Sequence, residues 1–214
     1  MNILLMVGSA DGREELETKA FIDTEQAIAT LRGMGAEHCG NLTILEHRYH
    51  PNSVMGKESQ SLRLRLIQDA LQKVVELVLK DKLPPHAFPG HPELGFPIKS
   101  RRELEVKLAS TIEEDCGFQT MQEILRVLHM RVRDAITTER QRFTLPQHPG
   151  VLYEVERITS YNNKTKNLPP PFMEIEGETI NQIAAAVHAL GIPLTALSSD
   201  TKGSVMRKHR HKKK

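Results

Sequence analysis

Four groups of residues have types and spacings that could do chemistry. Gly8-Ser9-Ala10-Asp11-Gly12 follows the apolar run Asn2 to Val7. Glycines after a first strand let backbone N–H groups approach a phosphate, as in nucleotide-binding α/β folds. The loop is neither G-x-G-x-x-G nor a Walker loop, and Glu14, Glu15 and Glu17 are poor company for an anion. A strand-to-loop turn accounts for it better. His38, Cys39, His47 and His50 are the densest metal-capable group. They lack the paired spacings of a structural zinc site, so no metal and no cofactor is expected there. Glu103-Leu104-Glu105-Val106-Lys107 contains an acid-x-lysine triplet, which two-metal nucleases carry on a strand. Ser100-Arg101-Arg102-Glu103 is a capping box that assigns it to a helix, where residues two apart do not share a face.

The cationic residues carry the stronger signal. Thr120 to Glu123 form a second capping box, opening a helix expected to run to Arg142. On that helix Arg126, Arg133 and Arg140 recur every seven residues beside the seam Leu125, Leu128, Val132 and Ala135. Seven residues return to nearly the same face, so the guanidiniums would form a ridge able to track phosphates. The formal charge of +2 hides an asymmetry. Arg207, Lys208, Arg210, Lys212, Lys213 and Lys214 crowd the last eight positions, leaving an acidic body. A basic tail over 204–214 is expected to be disordered and to contact polyanions.

The elements that must position these groups follow from periodicity. Strands are expected near 2–7, 42–49 and 151–160, with a shorter one at 172–176 that pairs back on 151–160. Asp23 caps a helix from Thr24. Leu62, Leu66, Ile67, Leu71, Val74 and Val78 spell the strongest helix, over 59–82, with Leu71 in its core. Helices over 100–115, 120–142 and 178–190 follow. The fold class is therefore α+β or mixed α/β and helix-rich. The chain divides into an N-terminal α/β region (1–83), a Pro-rich linker or loop (84–97), a helix-rich C-terminal region (98–203) and the basic tail.

Residues 178–197, Glu178-Thr179-Ile180 through Ala189-Leu190-Gly191-Ile192-Pro193-Leu194 to Leu197, resemble the closing helices of Cro/repressor-type helix-turn-helix domains. The resemblance implies a DNA-associated protein but transfers no base-reading residue. Composition excludes some other classes. Tryptophan is absent and aromatics are 4%, against stacking platforms for single strands. No apolar run can span a bilayer, so no membrane partner is expected. Met1 to Val7 lacks a secretory signal, and two cysteines suit a reducing, cytoplasmic setting. Together these features favour a non-enzymatic nucleic-acid-associated regulator or accessory protein. It would act through Arg126, Arg133, Arg140 and the tail, with self-association left open. The alternatives are a small nucleotide- or phosphate-handling enzyme built on the first strand and its glycine loop, or a structural or assembly subunit.

Overall fold

Leu62, Leu64 and Leu66 alternate with Arg63 and Arg65, and Val75 and Leu77 alternate with Glu76 and Val78. Residues four apart satisfy the helix period and the strand period together, so leucine spacing alone does not choose between them. The structure, a computed structural model, describes residues 5–6, 13–49, 60–82, 99–110 and 116–211. It resolves this segment as a hairpin: β4 (Gln60–Gln68) and β5 (Lys73–Lys82). Asp69 turns the chain, its Oδ1 accepting from the backbone N–H groups of Leu71 (2.7 Å) and Gln72 (2.8 Å). Leu71 sits in that turn at 82% exposure and not in a core.

The same correction holds elsewhere. The expected helix over 100–115 is β6 (Lys99–Ser110), with 111–115 outside the described residues. The expected helix over 120–142 is α2 (Cys116–Val127) followed by β7 (Val132–Thr144). His129, at φ 58°, breaks the helix between them. The remaining strands are β1 (Leu5–Met6), β2 (Arg13–Ala20), β3 (Glu37–Tyr49), β8 (Val151–Tyr161), β9 (Phe172–Gly177) and β10 (Leu197–Ser198). The remaining helices are α1 (Thr24–Gly33), α3 (Ile180–Ala189) and α4 (Lys202–His211). Asp23 accepts from the N–H groups of Glu25 and Gln26 to start α1, and Thr179 with Gln182 completes a capping box on α3. The glycine loop and the Pro-rich stretch lie outside the described residues.

All pairings are antiparallel, and the order β6-β5-β4-β3-β7-β8-β9-β2 closes because β2 also pairs with β6. The result is a closed barrel of eight strands, with β1 and β10 as short additions. The fold is therefore strand-dominated and not helix-rich. Strands from both sides of residue 84 pair with one another, β3 with β7 and β2 with β9. Alternation then assigns the faces. On the outside, Tyr153, Val155, Met173 and Ile175 pack with Leu31 of α1 and Ile183, Ala186 and Val187 of α3. Leu64 and Val75 pack with Phe118 and Leu125 of α2. At one end, Met206 of α4 packs with Ile136, Ile158, Tyr161 and Phe172. The segment expected to be a disordered tail is thus helical to His211 and closes the barrel, because Val205 and Met206 find an apolar seat. No described helix is long and apolar enough to cross a membrane.

Candidate active site

With apolar residues facing out, the charged residues of each strand face the lumen. Buried there are Glu17 and Lys19 of β2, Glu46 and Arg48 of β3, Arg63 of β4 and Glu76 and Lys80 of β5. Asp134 of β7, Glu154 and Glu156 of β8, Glu174 of β9 and Lys202 of α4 are enclosed as well. Arg65 of β4 and Arg140 of β7 are nearly buried, their side chains 16% and 10% exposed. Charges are this deeply enclosed only when they are paired or hold an ion.

The lining is segregated. One wall, from β2, β8 and β9, is acidic. Carboxylate oxygens of Glu17, Glu174 and Glu176 lie within 4.8 Å of one another, as do those of Glu154, Glu156 and Glu174. Lys19 bridges Glu17 (3.1 Å) and Glu174. Arg140 reaches Glu154 (2.5 Å), Glu156 and, at 3.7 Å, Glu174. Arg142 Nε donates to Glu154 (2.7 Å), and Lys202 Nζ to Glu156 (2.6 Å). Glu156 Oε2 is buried with no hydrogen-bond partner among the described residues. The facing wall, from β3 and β4, is basic. Arg48, Arg65 and Arg63 converge on Glu46 at 2.5, 2.9 and 3.4 Å.

Titration behaviour follows from this segregation. Burial, with Glu17 and Glu156 beside it, pushes the Glu174 carboxyl up to about 7 against the pull of Lys19. Burial acts on Glu156 too, but Arg140 and Lys202 outweigh it and hold that carboxyl at about 2. Glu46 stays well below the carboxylate range, because Arg48, Arg63 and Arg65 outweigh its burial. Burial pushes the Arg63 guanidinium down to about 10, with Glu46 opposing and Arg48 and Arg65 adding. The two walls feel each other: Lys202 acts on Glu46, and Arg140 on Arg65.

The residues singled out by spacing end up scattered. Arg126 is on the exposed side of α2, paired with Glu123 at 2.5 Å. Arg133, at the start of β7, pairs with Asp134 at 2.9 Å. Arg140 is inside the barrel, so the three form no ridge. Lys208 of α4 pairs with Asp200 at 2.6 Å. Arg207 and Arg210 lie on α4, and Lys212, Lys213 and Lys214 lie beyond the described residues. His47 faces α2, its Nδ1 2.8 Å from Gln122 Nε2, and His38 lies 3.1 Å from Asn41, so these two described histidines do not gather; His50 lies outside the described residues. The acid-x-lysine triplet of β6 is on a strand after all, with Lys107 3.2 Å from Glu105.

The acidic wall went unread in the sequence. Its signal is Glu15-Leu16-Glu17-Thr18-Lys19, Glu154-Val155-Glu156 and Glu174-Ile175-Glu176, three acid pairs each astride an apolar residue. That is the pattern of a strand with one greasy and one charged face.

No known protein family and no curated protein matches the chain. Solved structures do. The PH1012 protein of Pyrococcus horikoshii is 16% identical, over 89% of this chain and 99% of that one, with a TM-score of 0.64. A putative adenylate cyclase of Vibrio parahaemolyticus is 12% identical, over 92% and 99%, with a TM-score of 0.65. A putative adenylyl cyclase of Hippeastrum, described as revealing a dominant triphosphatase activity, is 15% identical, over 91% and 95%, with a TM-score of 0.58. At these identities the likeness shows the fold alone, a closed antiparallel barrel. The reading as a DNA-binding regulator is overturned: the arginine-bearing helix expected over 120–142 ends at Val127, and Arg133 and Arg140 lie on β7, with Arg140 inside the barrel.

Proposed function

We propose that this chain is a phosphoanhydride-cleaving enzyme that draws a triphosphate group into its barrel beside a divalent cation. The observation that carries this reading is the segregated lumen, with clustered carboxylates facing converged guanidiniums. A polyphosphate is a dense anion that needs cations on every side. The basic wall supplies forked donors for its oxygens, and Lys202 adds a cation from α4. The acidic wall repels phosphate unless a metal ion lies between them. Its donor set is all carboxylate oxygen, which suits a hard cation such as Mg²⁺ or Mn²⁺, and Glu156 Oε2 is a buried acceptor with no hydrogen-bond partner among the described residues. Glu17, Glu174 and Glu176, with Glu154 and Glu156, would hold the ion. When bound it would polarise a phosphoryl oxygen. Lys19 and Arg140 keep the carboxylates oriented, and the barrel excludes bulk water, so the charges act at full strength. The names of the Vibrio and Hippeastrum neighbours support the same chemistry. A reducing, cytoplasmic setting, where nucleoside triphosphates abound, fits the free Cys39 thiol.

The test is phosphate release from inorganic triphosphate and from ATP, with Mg²⁺ or Mn²⁺ and with chelator. Cation-dependent release that disappears in Glu17→Gln supports the reading. Inactivity on both substrates with either metal would overturn it.

A further inference from the structure

Glu46 has no part in the acidic wall: neither carboxylate cluster includes it. It sits in the basic wall, on β3, where its two oxygens are shared by three guanidiniums. We propose that Glu46 is a built-in competitor for phosphate, a fixed carboxylate that occupies the arginines of the basic wall and that an incoming phosphate must share with or displace. The inference rests on the triphosphate reading above and deepens it.

The geometry supports this in three ways. Arg48, Arg63 and Arg65 come from adjacent paired strands, and their side chains are 2%, 6% and 16% exposed, so water cannot substitute for an anion there. Each guanidinium carries about five N–H donors. Glu46 engages one nitrogen of each, while Ser61 and Glu76 are the further partners of Arg63 and Arg65, at 3.3 and 3.8 Å. Three guanidiniums share the two oxygens of Glu46, with Glu76 reaching only Arg65 of the three, at 3.8 Å, so Glu46 is the carboxylate on which the cluster centres. A triphosphate offers more charged acceptor oxygens than one carboxylate does, but Glu46 repels it from the centre of the cluster.

The consequence is a division of labour. Glu46 keeps the three arginines converged when no substrate is bound, as a positioning residue. During turnover it lowers affinity and hastens departure, because the carboxylate reclaims the guanidiniums when product leaves. Removing its charge should tighten binding and slow release. A residue that merely held the fold would, on removal, weaken binding or leave it unchanged.

The experiment is calorimetric titration of inorganic triphosphate, with chelator and with Mg²⁺, into the full chain, Glu46→Gln and Glu46→Asp, followed by steady-state hydrolysis. Glu46→Gln is expected to bind about tenfold tighter or more, the scale of one like charge removed from a buried site. Its KM and kcat should fall together. Glu46→Asp keeps the charge but draws it back from the arginines, so it should lie between the two, and it decides the matter if the glutamine variant fails to fold. Variants that bind as the parent does, or more weakly, overturn the role of Glu46 and leave the triphosphate reading standing. A parent that binds no triphosphate with or without Mg²⁺ overturns both.

Discussion

Two stretches of this chain spell the same pattern on strands that pair with each other. Glu15-Leu16-Glu17-Thr18-Lys19 lies on β2 and Glu103-Leu104-Glu105-Val106-Lys107 on β6. Their environments differ sharply. The Lys19 side chain is 2% exposed and Lys107 60%; Glu17 is 5% and Glu105 33%. The cause is the next strand over. β2 is flanked by β9, which brings Glu174 opposite Lys19 and Glu176 opposite Glu17. β6 is flanked by β5, which brings only Glu76 opposite Lys107. The pattern gives a strand its charged face; the neighbouring strand decides whether that face can hold an ion.

If that is right, the two patterns respond to the same substitution very differently. Glu17→Gln is expected to cut cation-dependent triphosphate hydrolysis by about 100-fold or more, the scale of removing one preorganised charge from a reacting centre. Glu105→Gln should stay within about threefold on the same scale. Initial rates at saturating cation check this. Equal losses would erase the distinction.

Stability should follow the same division. Lys19→Met removes the cation that bridges Glu17 and Glu174, and breaking a buried ion pair from one side costs roughly 3–5 kcal/mol. Lys19 is held above the ordinary lysine value, its burial outweighed by Glu17 and Glu174, so it is charged throughout the useful pH range. Urea midpoints of parent and variant at neutral pH measure the loss. An unchanged midpoint would mean that the pair is broken in solution.

The pH dependence has a definite sign. Glu174 titrates at about 7 in the folded protein, against 4.5 ordinarily. Between those values the folded state keeps a proton that the unfolded chain has released, so raising the pH through the window costs stability. Glu156, at about 2, does the opposite: its contribution is present above 4.5 and lost as the pH falls toward 2. In chelator, Glu174→Gln should flatten the decline between 4.5 and 7 and leave the acid limb intact. A decline that persists in the variant would assign it to another group.

Legibility in the sequence divides along the same line of neighbours. Capping is local, so Asp23 before α1 and Thr179 with Gln182 on α3 could be read directly. The strands at β3, β8 and β9 were also readable from alternation. The β4–β5 hairpin was not, because Leu62, Leu66, Val74 and Val78 fit both periods, and the deciding feature is one side chain, Asp69, bonding two backbone N–H groups. Arg126 and Arg140 looked equivalent at seven-residue spacing, yet one is exposed and the other enclosed. Only the turn at His129 separates them. The acidic wall needs three strands far apart in sequence, and no local rule says that Glu17 meets Glu174. What could have been read is the repeated acid pair astride an apolar residue, which implies a charged face that some closed sheet must enclose.

The smallest expected effect is the sharpest test of the comparison. Lys107 lies 3.2 Å from Glu105 and 4.0 Å from Glu76, mostly in solvent. An exposed pair of this kind contributes roughly 0–1 kcal/mol, so Lys107→Met should barely move the urea midpoint. It should nonetheless be felt by Glu76. Burial and then Glu105 raise that carboxyl, while Arg65 and Lys107 pull it down. Removing Lys107 takes away one of the opposing cations, so Glu76 should titrate higher still. A folded-state value that rises further above the unfolded one means stability lost over a wider span as the pH increases. Carboxyl NMR of Glu76 in parent and variant reads the shift directly. A rise in the Glu76 titration with an almost unchanged midpoint fits a triplet that tunes its neighbours without holding the fold. A loss as large as that of Lys19→Met would mean that β6 carries a second enclosed charge cluster equal to the first.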